Sequence, residues 1–175
     1  MKKHLFFIGY MGSGKTSVAR ALSEKLDIPL LDMDEAISKR FDMPINKVFE
    51  TFGEEKFRDA ETELLDEISK LDSPLIVSCG GGVPMRPENR ALLKENGKTI
   101  LLNASIEEII RRLNCDSLSN ENARPLLNNE IDESHIKPMI EKRKAAYEET
   151  ADFSISTDGL APEEIALYII ELMHF

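Results

Sequence analysis

Several absences narrow the possibilities before any motif is considered. The 175 residues include only two cysteines, Cys79 and Cys115, far apart and without metal-ligand spacing. A chain of this length can fold on a core rather than on disulfide staples, so the two thiols fit a reduced, cytoplasmic setting. Positive charge is in short supply. With 22 Lys+Arg against 32 Asp+Glu the formal charge is −10, which leaves no broad electrostatic attraction for DNA or RNA. No nucleic-acid partner is expected, and any phosphate must be gripped locally. No apolar run is long enough to cross a bilayer. The stretch Leu5–Ile8 follows the basic Lys2-Lys3-His4 but stops at once in a glycine-rich loop, too short even for a signal-peptide core. No membrane association is expected, and no internal repeat is present. One domain is expected over 1–175, working as a monomer.

What is present is an alternation of short apolar runs with longer segments of helical period, the pattern of βαβ units around a parallel sheet. The runs Leu5–Ile8, Leu30–Met33, Leu75–Cys79, Thr99–Asn103 and Phe153–Ser156 read as strands. Helices are expected at about 15–26, 35–41, 54–70, 88–95, 105–112, 133–149 and 162–174, with Ser105 and Glu108 spaced as a capping box and Pro162 suited to a first turn. These elements imply a three-layer α/β/α sandwich on a five-stranded parallel sheet. The polar, aperiodic stretch Asn114–Ala123 is expected to be a loop, either a lid within about 113–125 or plain disorder.

The eight residues Gly9-Tyr10-Met11-Gly12-Ser13-Gly14-Lys15-Thr16 satisfy Gly-x-x-x-x-Gly-Lys-[Ser/Thr] between an apolar strand and a helix, the context this phosphate-binding motif requires. Gly12 and Gly14 let the backbone curl so that N–H groups face a phosphate, and the following helix adds its dipole. Lys15 supplies a point charge to the β- and γ-phosphate oxygens, and Thr16 a hydroxyl to Mg²⁺. The residues Gly12, Ser13, Gly14, Lys15, Thr16 and Ser17 are therefore the expected ATP-phosphate contacts.

A switch GTPase would need Asn-Lys-x-Asp, whereas the nearest string, Asn46-Lys47-Val48-Phe49, has Phe where guanine is read. Acids end only one apolar strand, in Leu30-Leu31-Asp32-Met33-Asp34. Two residues apart on a strand, Asp32 and Asp34 would both project near the carboxyl edge, one serving Mg²⁺ and the other a substrate hydroxyl. Alternatively they cap the helix that begins near Glu35.

Three further features are out of place on purely structural grounds. Phe57, Glu61, Leu64 and Ile68 share one helix face, so Glu61 intrudes on an apolar stripe and needs a partner, which Arg58 can be. Such a pair would hold the guanidinium for an anionic ligand, unless it is an ordinary surface ion pair. Arg143 intrudes in the same way on the face of Ile136, Ile140 and Tyr147, and implies a carboxylate or phosphate nearby, whether from a ligand or from a structural acid. Gly80-Gly81-Gly82 removes every side chain at the end of the third strand, giving either close backbone approach to a ligand or a flexible turn.

Taken in order, Gly9–Thr16, Asp32-Met33-Asp34, Phe57-Arg58-x-x-Glu61, Gly80-Gly81-Gly82, Arg124-Pro125-Leu126-Leu127 and Arg143-x-x-x-Tyr147 resemble the shikimate kinases over nearly the whole chain. The resemblance implies ATP-dependent phosphorylation of the 3-hydroxyl of shikimate, on the route to chorismate and the aromatic amino acids. It places the substrate carboxylate on Arg58 and Arg143, the substrate backbone contact at Gly81 within Gly80–Gly82, the substrate hydroxyls and candidate base at Asp34, and magnesium at Thr16 and Asp32. It also gives Lys15 and the lid arginine Arg124 to the phosphates and Arg112 to adenine, with a substrate-binding helical region at about 34–61. A kinase for another small hydroxylated acid such as gluconate, or a non-catalytic ATP sensor, would share the phosphate loop.

Overall fold

The computed structural model describes residues 4–117 and 132–174. In chain order the elements are β1 (His4–Ile8), α1 (Lys15–Leu26), β2 (Leu30–Asp32), α2 (Met33–Phe41), α3 (Ile45–Ser69), β3 (Ile76–Ser78), a 3₁₀ turn (Val83–Met85), α4 (Pro87–Asn96), β4 (Gly97–Asn103), α5 (Ile106–Ser117), α6 (Glu133–Thr150), β5 (Phe153–Ser156) and α7 (Pro162–Met173). The five strands form one sheet in the order β2-β3-β1-β4-β5, and every pairing is parallel. As expected for a parallel sheet covered on both faces, all five residues of β1 are buried.

The alternation of the strand side chains separates two cores. Phe6, Ile8, Val77 and Leu101 pack with α2, α3 and Tyr147 of α6, while Leu5, Phe7, Ile76, Ile100 and Leu102 pack with Val18 and Leu22 of α1 and Ile165 and Ile169 of α7. A third, smaller cluster joins Tyr10 to Ile109 and Leu113 of α5 and Ile136 of α6. The three-layer sandwich is therefore as the sequence implies. Among the described residues no helix is long and apolar enough to cross a membrane.

Four local expectations change. Strand β2 stops at Asp32 and α2 begins at Met33, so Asp34 lies in the first turn of a helix rather than on a strand. The helix expected from about residue 54 follows Gly53, but a further helical segment from Ile45 precedes it, the two joined across a kink at Gly53, whose φ of 80° and ψ of 168° are not helical. Helix α5 runs on to Ser117, so the start of the expected loop is helical, and residues 118–123 lie outside the described residues. The capping box at Ser105 is half made. Glu108 N–H donates to the Ser105 hydroxyl at 3.2 Å, but the Glu108 carboxylate turns to Arg111 and Arg112, and the Ser105 N–H donates instead to Asp158.

At Gly53 an added Cβ would meet nothing within 4 Å, so the backbone angles alone select glycine there. Gly53→Ala is expected to lower stability by about 1–3 kcal/mol through strain in a region of φ/ψ open essentially to glycine alone. Urea denaturation measures this, and an unchanged midpoint would show that the bend is not strained.

Candidate active site

All five strands deliver their carboxyl ends to one edge, where open α/β sheets bind ligands. Among the described residues, two recesses at this edge reach Lys15 and Thr16. One, of about 770 Å³, is bounded by Asp34, Arg58, Glu61, Gly80–Gly82 and Arg143; the other, of about 650 Å³, by Gly14, Ser17, Arg112, Thr157 and Gly159. Both are lined by Gly12, Lys15 and Thr16, so the phosphate loop is the common wall of two compartments.

Within that loop Gly14 adopts a left-handed φ of 91° and opens directly into α1, which turns the first free N–H groups of the helix toward the recess. Lys15 Nζ donates to the carbonyls of Gly9 (2.9 Å) and Tyr10 (3.0 Å). Burial pushes its pKa down to about 8, against the pull of the Asp34 carboxylate. Thr16 donates its hydroxyl to Asp32 Oδ2 at 2.7 Å and lies 3.0 Å from the Ser78 hydroxyl. The other Asp32 oxygen accepts from the Glu35 N–H at 3.1 Å, so Asp32 caps α2 and faces the phosphate loop at once.

The glycine run gives the first recess its shape. A Cβ on Gly80 would sit 2.6 Å from Glu61 Oε1 and 2.9 Å from Asp34 Oδ1, one on Gly81 would sit 3.1 Å from Arg143 Nη1, and one on Gly82 would overlap the Arg58 guanidinium. Close approach, not turn flexibility, explains all three. Glu61 is fully buried and binds Arg58 Nη1 through Oε2 at 2.8 Å, with Glu54 holding the other side of the same guanidinium at 3.0 Å. Its Oε1 has no hydrogen-bond partner among the described residues. Burial pushes the Glu61 pKa up to about 7 despite Arg58. Asp34 keeps an open surface toward the cleft, yet the enclosing walls and the Asp32 carboxylate raise its pKa, with Lys15 and Arg58 opposing.

Arg143 is 9 % exposed, and no carboxylate of the described residues lies within ion-pair distance of it. Its guanidinium rests 5.4 Å from the centroid of the Tyr10 ring. Of the two explanations for an arginine on this face, the described residues supply no structural acid within ion-pair distance, and the buried cation lines the cleft. One turn on, the Tyr147 hydroxyl donates to the Gly81 carbonyl at 2.6 Å, fixing the glycine run to the arginine helix. No sequence pattern assigns a role to this tyrosine, although it shares the face of Arg143. Ser78 carries no sequence signal either, its hydroxyl lying at the end of an apolar strand.

Arg112 lines the second recess. It donates to Glu108 (2.7 Å), the Gly12 carbonyl (3.2 Å), and the Thr157 hydroxyl (3.0 Å) and carbonyl (2.9 Å). Ser13 is buried and Ser17 exposed at the start of α1. Cys79 is a buried wall residue whose pKa burial drives strongly upward, so its thiol is inert. Arg124 lies outside the described residues.

A phosphate loop at the edge of a parallel sheet, shared between two compartments, defines a kinase of the P-loop class. A family described as shikimate kinase matches residues 11–174. The shikimate kinase of Caldicellulosiruptor bescii is 43% identical over 170 residues, covering 97% of this chain and 95% of that protein. Among solved structures, the Acinetobacter baumannii shikimate kinase in complex with shikimate superposes with a TM-score of 0.88 at 31% identity, covering 98% of this chain and 93% of the other. The Bacteroides thetaiotaomicron enzyme gives 0.86 at 30% identity, with 99% of each chain covered. This chain belongs to the shikimate kinase family.

The Glu61 environment makes a prediction of sign. Its folded pKa of about 7 exceeds the ordinary 4.5, so the native state binds the extra proton between those values, and stability is lost as pH rises through that window. Relative to Glu61→Gln, the parent protein should lose up to roughly 3 kcal/mol between pH 4 and pH 8. Denaturation of both at several pH values tests this, and a difference that stays constant with pH would refute the buried-carboxylate account.

Proposed function

We propose that this chain transfers the γ-phosphoryl group of ATP to the 3-hydroxyl of shikimate. The observation that carries the reading is the buried Arg143, with no acid of the described residues within ion-pair distance, beside Arg58 in a cleft that meets the phosphate loop, an arrangement that suits a small hydroxylated carboxylate. Arg58, held on both sides by Glu54 and Glu61, and Arg143 bind the substrate carboxylate, and the backbone of Gly80–Gly82 bounds the ring. Asp34 orients the attacking hydroxyl and is placed to receive its proton, its raised pKa bringing it nearer the working range of a general base.

On the nucleotide side, the N–H groups of Gly12–Ser17 and Lys15 hold the phosphates, and Arg112 lies against the base. Phosphoryl transfer requires mainly alignment and neutralisation of charge, which Lys15 supplies and which the family pattern assigns to Arg124 as well. The oxygens of Thr16 and Asp32 suit a hard cation, and the Ser78 hydroxyl lies beside them. Among the described residues no group of three or more His, Cys, Asp or Glu could hold a metal ion. That sparse donor set fits Mg²⁺, which keeps several waters and takes its other ligands from phosphate. When bound, the ion would neutralise the β- and γ-phosphate oxygens. We place the enzyme in the cytoplasm as a monomer, a setting that suits two free thiols, one of them exposed.

A coupled assay of shikimate against gluconate and nucleoside monophosphates tests the assignment. Shikimate should be the preferred acceptor by orders of magnitude; equal or better turnover of gluconate would overturn it. Asp34→Asn should lower kcat by about 10²–10⁴-fold while nucleotide still binds; near-normal turnover would remove Asp34 from proton transfer. Arg143→Ala should raise the shikimate KM by about 10–100-fold through loss of a charge-assisted contact, and an unchanged KM would count against the carboxylate site.

A further inference from the structure

Thr157 is the first residue after β5 and is almost fully buried. Its hydroxyl lies 3.1 Å from the Ser13 carbonyl of the phosphate loop and 3.2 Å from the Asn103 carbonyl at the end of β4. The same oxygen accepts from Arg112 Nη1 at 3.0 Å, and the Thr157 carbonyl accepts from Arg112 Nη2 at 2.9 Å. Carbonyls cannot donate and a guanidinium cannot accept, so the direction of every bond is fixed. The hydroxyl proton goes to the carbonyls, and its lone pair faces Arg112.

The guanidinium is thereby held at its Nε by Glu108 and at both terminal nitrogens by the Gly12 and Thr157 oxygens. Bonds of this kind lie in the plane of the guanidinium and leave its faces free, so they set the tilt of a flat cationic surface in the second recess. Each purine presents a π-face to such a surface.

We propose that Thr157 is a positioning residue for nucleotide binding, orienting the Arg112 plane against the base of ATP while tying that plane to the phosphate loop. This rests on the assignment of the second recess to the nucleotide. Valine, similar in shape but without the hydroxyl, removes both the donor to Ser13 and the acceptor for Arg112. Serine keeps both. Glu108, at the other end of the guanidinium, acts on the same plane from outside the buried cluster.

The test compares ATP with inorganic tripolyphosphate, which has the phosphates and no base, as ligands of the parent, Thr157→Val, Thr157→Ser and Glu108→Gln proteins. Thr157→Val should raise the ATP KM about tenfold, the loss expected for a hydrogen bond to a charged group. Tripolyphosphate inhibition, the shikimate KM and kcat at saturating ATP should hold, and Thr157→Ser should restore ATP binding. Glu108→Gln should show the same selective loss, and it carries the test if Thr157→Val does not fold. An ATP KM unchanged in Thr157→Val, or in Glu108→Gln when only that variant folds, overturns the proposal. So does an equal weakening of tripolyphosphate, which would make Thr157 merely a prop for the phosphate loop. Failure of the parent protein to bind ATP would instead refute the nucleotide assignment itself.

Discussion

Three consecutive residues without side chains at the carboxyl end of β3 set the terms for the rest of the site. Gly80 leaves room for Asp34 and Glu61, Gly81 for Arg143, and Gly82 for Arg58. Two carboxylates and two guanidiniums can thus converge on one cleft from α2, α3 and α6. The arrangement is electrostatically uneven. Glu61 answers Arg58 at 2.8 Å, whereas Arg143 is buried with no acid of the described residues within ion-pair distance. A cation withdrawn from water without a direct ion pair is costly, and a ligand carboxylate would relieve that cost on binding. Preorganisation of this sort exchanges some stability of the empty protein for selectivity toward an anion.

The sheet order explains why the two compartments meet where they do. With β1 central and β3 and β4 on either side of it, the phosphate loop that follows β1 is flanked by the glycine run after β3 and by the β4 and β5 ends that support Arg112. Lys15 and Thr16 line both recesses, where a phosphoryl group passing from one to the other would meet both side chains. A chain of net charge −10 can still attract anionic ligands because Lys15, Arg58, Arg112 and Arg143 are gathered at this one edge, where local potential outweighs the distant surface charge.

Much of this was legible in the sequence. The phosphate loop announces itself by spacing and context, and Glu61 and Arg143 betrayed their positions by intruding on apolar helical stripes. A charged residue on such a stripe is costly enough that its presence carries information. What escaped was finer. Asp34 reads as a strand residue because Leu31–Asp34 alternates as a strand would, yet Asp32 caps the next helix and the strand ends there, one residue short of the expected run. The helical segment before Gly53 carries its own spacing at Ile45, Val48, Phe49 and Phe52, and Gly53, whose backbone is not helical, kinks the chain between it and the expected helix. Thr157 and Ser78 had no periodic signal at all, for a lone hydroxyl at a strand end acquires meaning only from carbonyls and side chains distant in sequence.

The proposed substrate cleft depends on Arg143 and Arg58 together binding a carboxylate. Calorimetric titration of the nucleotide-free protein with shikimate, and with the analogue whose carboxylate is reduced to an alcohol, tests it most directly. The account predicts that shikimate binds and that the alcohol binds at least about 100-fold more weakly, since the buried guanidinium would then be left unpaired. Equal affinity for the two would contradict it.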